Sequence, residues 1–492
     1  MKVLLAGFNV DTEALRLYKN KDITLTPESL SAAYARISRS PKSVDALRSE
    51  ARQEVEKARR SNRTIIFEMG HHSIAEHAVF NFDIIGISRR AVEELEKFRL
   101  CSYTEKSQRY VTLKGDFVIP EELRGTHLLN EYLGIIEAQN NFYKILFKKI
   151  KKYNSKKFPH LTKNKKNLRI LENLSKEDAR YILSLATQTQ LGATINARNL
   201  ELIMRRFASH HMCELNRLGQ KFFNLVKKVA PSIILFHKAN DYDEKTHREV
   251  QKYTRRFPRN SISAADKTDV TLVNYTAHAD DKILASLLFK VSNRSYTQCL
   301  RTIKHMSKQK KMELFKKSCR YLELYDVVLR EFEYANVTYA LVVSAACFGQ
   351  LKRHRIATIT CQDYDPNLGI TIPKSVKDIG EEKEFARIVN KTEKVYKKIE
   401  KKFPSIGSYV LTNAHRKRVL LNTNLRGLYH ISRLREDATA QWDIRDKAHK
   451  MSRLAKKVMP ITTQLLGSKS KYPKIYFKLF GKHPKVTEVP LP

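Results

Sequence analysis

The sequence predicts an α+β protein built from two homologous sheet-plus-helix domains. Three observations carry this. At 492 residues the chain exceeds one typical domain. Segments with the period of a half-buried strand lie between long helical stretches. The second half then restarts the pattern of the first, and an internal repeat must be settled before any fold is assigned.

Residues 2–10 form a short apolar run broken by Gly7 and Asp11, which reads as a buried strand rather than a secretion leader. Residues 26–59 read as mostly helical, with a bend at Ser38. In AVFNFDIIGIS, Val79, Asn81 and Asp83 alternate with Phe80, Phe82 and Ile84, the period of a strand with one buried side. Residues 89–98 are rich in helix formers. After Pro120 a helical stretch runs into FKKIKKYNSKKFPHLTKNKKN, a Lys-rich segment that reads as a solvent-exposed excursion. Residues 177–223 read as helical again.

The repeat begins near Val270, where DVTLVNYTAHADDKIL resembles the opening KVLLAGFNVDTEAL, and SLLFKVSNRS places Ser292 opposite Ser38. Residues 333–365 follow 77–109 at a constant offset of 256 (333 minus 77), and Asn424-Leu425-Arg426 follow Asn196-Ala197-Arg198 at 228 (424 minus 196). The first half therefore holds 28 extra residues (256 minus 228), which the Lys-rich excursion accounts for. The division is a first repeat over 1–240, a linker over 241–268 and a second repeat over 269–492.

A hydrophobic share of 42% is enough for sizeable cores. No run of about eighteen apolar residues marks a membrane helix. Six cysteines (101, 213, 299, 319, 347, 361) contain no CxxC pair and read as reduced thiols of a cytoplasmic protein. The net charge of +41 attracts polyanions, nucleic acid first, but phosphate-bearing metabolites too. The basic residues are spread along the chain, so the charge permits a nucleic-acid partner without favouring one.

Two stretches stand out: KFRLCSYTEKSQRY from Lys97 and its echo KRHRIATITCQDYD from Lys352. Arg353-His354-Arg355 follows an apolar helical run, where charges need a partner, and its guanidiniums suit a diphosphate or an electron-rich ring. Glu105, Ser107, Gln108 and Arg109 offer N–H groups, a hydroxyl and a guanidinium within one turn, the composition of a phosphate pocket. Alone, either motif reads as a capped turn with solvated charges. His71, His72 and His77 lack the spacing that puts three ligands on one helical face, so no metal site is expected.

GHHSIAEHAVFNFDIIGISRR…FRLCSYTEKSQRYV, with Asn424-Leu425-Arg426…Leu434-Arg435…Ala440-Gln441-Trp442-Asp443 later, resembles the flavin-dependent thymidylate synthases over both halves. The resemblance implies that each repeat is a mainly antiparallel sheet packed with helices and that the pair forms a pseudo-dimer. It implies reductive methylation of dUMP to dTMP with FAD, methylenetetrahydrofolate as carbon donor and NADPH as reductant. Two such chains, as a homodimer, would mimic the family's tetramer.

Carried over residue by residue, the second half matches the family's flavin and uracil side with Gln350, Arg353, His354, Arg355 and Arg435. There the first half has Glu94, Lys97 and Phe98, although Arg206 matches the late arginine. The first half matches the dUMP side with Glu105, Ser107, Gln108, Arg109 and Arg180, where the second half has Cys361, Asp363, Asp365 and Ser408. For FAD, Ser38, His72, Ser73, Glu76 and His210 match in the first half. The GHxSxxEH stretch is not recognisable in the second, and Thr439 stands opposite His210. Either Asn196 and Arg198 or Asn424 and Arg426 would touch the flavin. The resemblance therefore implies one composite site between unlike repeats, with Arg435 polarising the uracil. The alternative is a degenerate relative that acts as a basic nucleic-acid-binding or scaffold protein.

Overall fold

The computed structural model describes residues 1–18, 24–111, 115–254, 256–257 and 268–487. It contains two four-stranded sheets of identical topology, with strand orders β1-β2-β4-β3 and β5-β6-β8-β7. Every pairing is antiparallel, so the α+β class with antiparallel sheets is what the chain adopts.

The first unit comprises Met1–Asn260 together with Pro373–Thr412. Its sheet holds β1 (Lys2–Phe8), β2 (Val79–Ser88), β3 (Ser102–Glu105) and β4 (Gln188–Asn196). The alternation in β2 sends Phe80, Phe82 and Ile84 into the core, where the Phe82 ring lies 4.6 Å from that of Phe222 on the helix Cys213–Val226. Two expectations fail here. Residues 177–223 are not one helix: QTQLGATIN is β4, buried at every second residue, because a period of two outweighs the helical flanks. And β1 is an edge strand with only Val3 buried, so its apolar run covers one face rather than filling the core.

The second unit comprises Ser261–Ile372 and Asn413–Pro492. Its sheet holds β5 (Val270–Tyr275), β6 (Asn336–Ser344), β7 (Thr358–Cys361) and β8 (Arg416–Asn424). Tyr339 of β6 is fully buried and donates to the Met451 carbonyl (2.9 Å) on the helix Trp442–Val458, tying sheet to helix.

Register fixes the equivalence of the repeats more closely than sequence does. Val79 pairs with Asn196 and Asn336 with Asn424, so β2 maps to β6 at an offset of 257 (336 minus 79). Ser88 pairs with Gln188 and Ser344 with Arg416, an offset of 256 (344 minus 88). The offset is therefore not constant. Gly86 is one extra residue in β2, at φ 74°, where the register shifts between Ile85 and Ile87. Glycine accepts that left-handed backbone without strain, and the bulge keeps the flanking residues on their faces.

The Lys-rich excursion is the end of a helix, Leu128–Lys157, whose apolar face is buried, then the short turn Pro159–Thr162 and the start of a second helix, Lys165–Ala179. The helix Glu382–Lys402 of the second repeat's sequence packs in the first unit. Gln139 donates to the Thr392 hydroxyl (2.8 Å) and the Val410 carbonyl (2.9 Å), and Phe142 meets Phe385. Compact units and sequence repeats thus do not share boundaries. Of the expected linker, Asp241–Thr254 is a helix whose Asp243 pairs with Arg205 (2.9 Å) and Arg206 (2.8 Å); residues 255 and 258–267 lie outside the described residues. No helix among the described residues is long and apolar enough to cross a membrane.

Candidate functional site

In the second unit, Ser344 ends β6 and caps the buried helix Ala345–Leu351, accepting from the Cys347 amide. The chain then turns tightly, the His354 amide donating to the Leu351 carbonyl (3.1 Å), and this turn presents Arg353, His354 and Arg355. His354 is directed inward: it is 5% exposed, and its Nε2 accepts from Nε of Arg435 (2.8 Å). Nε2 is thus the acceptor and Nδ1 carries the proton. Burial, then the neighbouring Arg435 and His430, hold this imidazole well below its ordinary value of 6.5. Arg353 is half-buried and Arg355 exposed. One turn earlier, both amide atoms of Gln350 are buried without a protein partner.

The pH dependence follows from His354. An imidazole depressed in the folded state is neutral in both states above 6.5, and only the unfolded chain takes the proton below it. Stability is therefore full above 6.5 and falls as pH drops, by up to about 1.4 kcal/mol per pH unit until the folded group protonates. His430, also depressed, first by burial and then by Arg435, acts in the same direction. Urea unfolding at pH 7.5 and 5.5 should show the loss, and His354→Gln should reduce it; an equal loss in the variant would refute this assignment.

In the first unit, the strand β3 ends at Glu105 and runs into the turn that carries Ser107, Gln108 and Arg109. Glu105 accepts from Arg89 at 2.5 Å, both side chains being almost fully buried. Arg109 pairs with Glu177, and its amide donates to the Ser107 hydroxyl (3.2 Å). Arg180, buried in the turn before β4, donates through Nε to the Glu177 carbonyl (3.3 Å). Burial pushes the Arg180 guanidinium below its ordinary value; Tyr181 and Glu177 oppose this, while Arg89 and Arg109 add to it. Gln108 is buried beside them. The dUMP-side residues expected from the first repeat are thus brought together in one unit, while Gln350 and Arg353, also expected at dUMP, lie in the other.

The expected flavin residues of the first repeat separate into two groups. The helix Glu28–Arg36, followed by the turn carrying Ser38, packs on the short turn His72–His77, with the Tyr34 and His77 rings 4.8 Å apart. Glu76 of that turn pairs with Arg198 (2.6 Å), Ser73 is exposed, and His72 lies edge-on to Phe67. Asn196 is occupied as the cap of the helix Ala197–Ala208, accepting from the Asn199 amide (2.9 Å). His210 belongs to the other group: its Nε2 lies 3.9 Å from Glu94, which also pairs with Arg90 and Lys97. Arg90 in turn donates to Ser408 (3.1 Å). The residues that replaced the flavin motif in this repeat have closed into an ion network.

The second unit preserves a counterpart that sequence missed. The short turn Arg330–Tyr334 precedes β6 as His72–His77 precedes β2, and Glu333 sits three residues before Asn336 as Glu76 does before Val79. Glu333 pairs with Arg426 (2.9 Å), the equivalent of Arg198, while Asn424 caps its helix through the Gly427 amide (2.8 Å).

One expected match is corrected. The caps Asn196 and Asn424 set the offset inside the following helices at 228, which places Phe207, not Arg206, opposite Arg435. The next helices are capped at Met212 and Gln441, an offset of 229 (441 minus 212), so the extra residue lies between the helices. The Phe207 ring meets that of Phe98, the equivalent of His354, at 5.8 Å and 84°. The polar pair Arg435–His354 thus has an aromatic pair in its place, and Arg206 pairs instead with Asp243 (2.8 Å).

No disulfide joins any of the six cysteines. Burial drives Cys319 up to about 11 and Cys347 well above the ordinary thiol value, far from nucleophilic use. Among the described residues no group of three or more His, Cys, Asp or Glu side chains could hold a metal.

A family model described as thymidylate synthase complementing protein matches the chain twice, over residues 21–232 and 271–461. Over 219 residues the chain is 31% identical to a flavin-dependent thymidylate synthase of Geobacter sulfurreducens, spanning 43% of this chain and 82% of that one. It is 24% identical over 443 residues to the UPF0159 protein Ta1429 of Thermoplasma acidophilum, spanning 81% of this chain and 86% of that one. A crystal structure of the flavin-dependent thymidylate synthase ThyX from Helicobacter pylori, complexed with FAD and dUMP, matches at 19% identity and a TM-score of 0.30, covering 48% of this chain and 100% of that one.

Proposed function

Because the chain belongs to the thymidylate synthase complementing protein family, which includes the flavin-dependent thymidylate synthases, we propose that it is an FAD-dependent thymidylate synthase acting on dUMP. The product is dTMP, the carbon donor methylenetetrahydrofolate and the reductant NADPH. The reaction needs Gln350, Arg353, His354, Arg355 and Arg435 from the second repeat and Glu105, Ser107, Arg109 and Arg180 from the first. Two chains would supply the family's four repeats.

The observation that carries this reading is the group-wise retention. The buried arginine cluster exists in the first repeat alone, the Arg435–His354 pair in the second alone, and each is replaced as a set where it is missing. Drift without function would not sort losses into complementary sets.

The residues present fit the ligands. The buried amide of Gln350 lacks a protein partner, and such groups in native proteins are normally satisfied. Arg109 and Arg180, with the Ser107 hydroxyl, offer charge-assisted donors to the dUMP phosphate. Arg435 stabilises negative charge as it develops on the uracil ring. His354, neutral and accepting from Nε, fixes that guanidinium without adding charge. Arg353 and Arg355 from the second repeat, and Ser38, His72 and the Glu76–Arg198 pair from the first, would hold the flavin, which once reduced would supply the hydride. No cysteine nucleophile is required.

The test is the visible spectrum of the purified chain, then dUMP titration under anaerobic reduction by NADPH. A flavin spectrum that responds to dUMP is expected. A colourless protein that cannot be reconstituted with FAD would overturn the reading and leave nucleic-acid or scaffold binding as the role for the +41 charge.

A further inference from the structure

A cavity of about 720 Å³ opens in the second unit, lined by the end of the helix Ala279–Val291, the start of the helix Tyr296–His305 and the turn Arg330–Tyr334. None of its lining residues is among those assigned to dUMP. The local sequence builds its walls. Ser295 and Gln298 form a reciprocal capping box, which fixes Tyr296 as the first residue of its helix. The Tyr296 ring meets that of Phe289 at 6.4 Å and 82°, and Tyr334 adds a third ring to the lining. Glu331 lines the same cavity and its side chain is 8% exposed. Its Oε1 pairs with Lys290 (3.1 Å), while its Oε2 is buried with no donor.

An ion pair with Lys290 does not account for Glu331. Lys290 is 64% exposed, so the pair contributes little, whereas a buried carboxylate oxygen without a donor is costly. The turn does not need the residue either. Glu333 stands opposite Glu76, which puts Glu331 opposite Ile74, and the first repeat forms the equivalent turn with Ile74 packed on its core. The carboxylate is therefore particular to the second repeat, where the GHxSxxEH stretch is not recognisable. Buried polar groups of native proteins normally have a partner.

The lining selects the chemistry of that partner. A carboxylate only accepts, and it takes two N–H donors side by side from a planar edge. Guanine presents such an edge, a ring N–H beside its 2-amino group, and the pterin ring presents the same one. Adenine and cytosine put a lone pair beside their amino group, which a carboxylate repels. Aromatic walls stack all of these rings, so the edge decides among them. A small organic cation also suits rings and a carboxylate, but Lys290 and Arg330 in the lining and the net charge of +41 oppose it. The same two side chains favour a ring that carries phosphate or carboxylate groups.

We propose that this cavity binds a 2-amino heterocycle with an adjacent ring N–H and an anionic tail, a guanine nucleotide or a reduced pterin, held at its edge by Glu331 and stacked on Phe289, Tyr296 and Tyr334. The proposal does not depend on the dUMP site. The rival occupant is adenine, because Glu333 in the lining pairs with Arg426, one of the residues expected at FAD. Equilibrium dialysis of the full chain against GMP, AMP and tetrahydrofolate, with excess dUMP present to fill the other nucleotide site, separates the two. Wild type should bind GMP or tetrahydrofolate at least about tenfold more tightly than AMP, and Glu331→Gln, which exchanges one acceptor for a donor at nearly constant volume, should erase that margin. Tyr334 is 63% exposed, so Tyr334→Ala leaves the fold intact and should weaken the same ligand by about fivefold or more. A loss in Glu331→Gln confined to GMP names guanine as the source, and one confined to tetrahydrofolate names the pterin. A wild type without preference over AMP, or a Glu331→Gln chain that binds all three as wild type does, overturns the proposal. An equal loss of AMP and GMP in Glu331→Gln overturns it in favour of adenine. Should Glu331→Gln fail to fold, the wild-type ranking and Tyr334→Ala decide.

Discussion

Arg353→Ala is expected to lower turnover by roughly 10²–10³-fold, the scale on which loss of one preorganised charge donor acts, whereas Lys97→Ala should remain within about twofold of wild type. The two residues hold equivalent positions in the two repeats. Arg353 is half-buried, follows the orphaned Gln350 and precedes the His354 that fixes Arg435. Lys97 is half-exposed and spends its charge on Glu94, inside a network already closed by Arg90 and His210. Arg109→Ala should fall with Arg353→Ala, because the proposed reaction needs one set from each repeat. Steady-state rates with dUMP decide it. An active Arg353→Ala beside an inactive Lys97→Ala would reverse the assignment of working and vestigial sets.

The sequence made the duplication, the β2 strand and most of the anion loop legible, because a strong period of two and a dense motif are local signals. What it hid was longer-ranged. β4 lay between two helical stretches, and its small and polar residues muted the alternation until the partners β2 and β3 were seen. A single extra glycine at 86 shifts the repeat register by one, which no offset measured downstream can reveal. Arg89 read only as the start of a stretch rich in helix formers, since nothing local says that Glu105, sixteen residues on, will pair with it. The turn Arg330–Tyr334 kept only one informative residue, Glu333, and became recognisable through its pairing with Arg426.

The exchange of Arg435–His354 for Phe207–Phe98 makes the second strong prediction. Phe207 is 2% exposed and packed on Phe98, so Phe207→Arg forces a guanidinium against a phenyl ring, which lacks the ring nitrogen that accepts from Arg435 in the second unit. An uncompensated buried charge costs about 3–5 kcal/mol. Phe98→His alone should cost less, since a neutral imidazole buries a weaker dipole. Together, the two substitutions should recreate the arrangement already seen in the second unit, Nε of the arginine donating to Nε2 of the histidine (2.8 Å there). The double variant should therefore be more stable than the sum of the singles predicts, with a coupling of about 1–3 kcal/mol, the range for residues in direct contact. Urea unfolding of the four proteins in the cycle measures it. Strict additivity would mean that the first repeat has lost the backbone geometry that holds the pair, and that its vestigial set departed by more than side-chain exchange. A clear coupling would mean that the fold still presents these two positions face to face, and that the chemistry was lost from this repeat through its side chains alone.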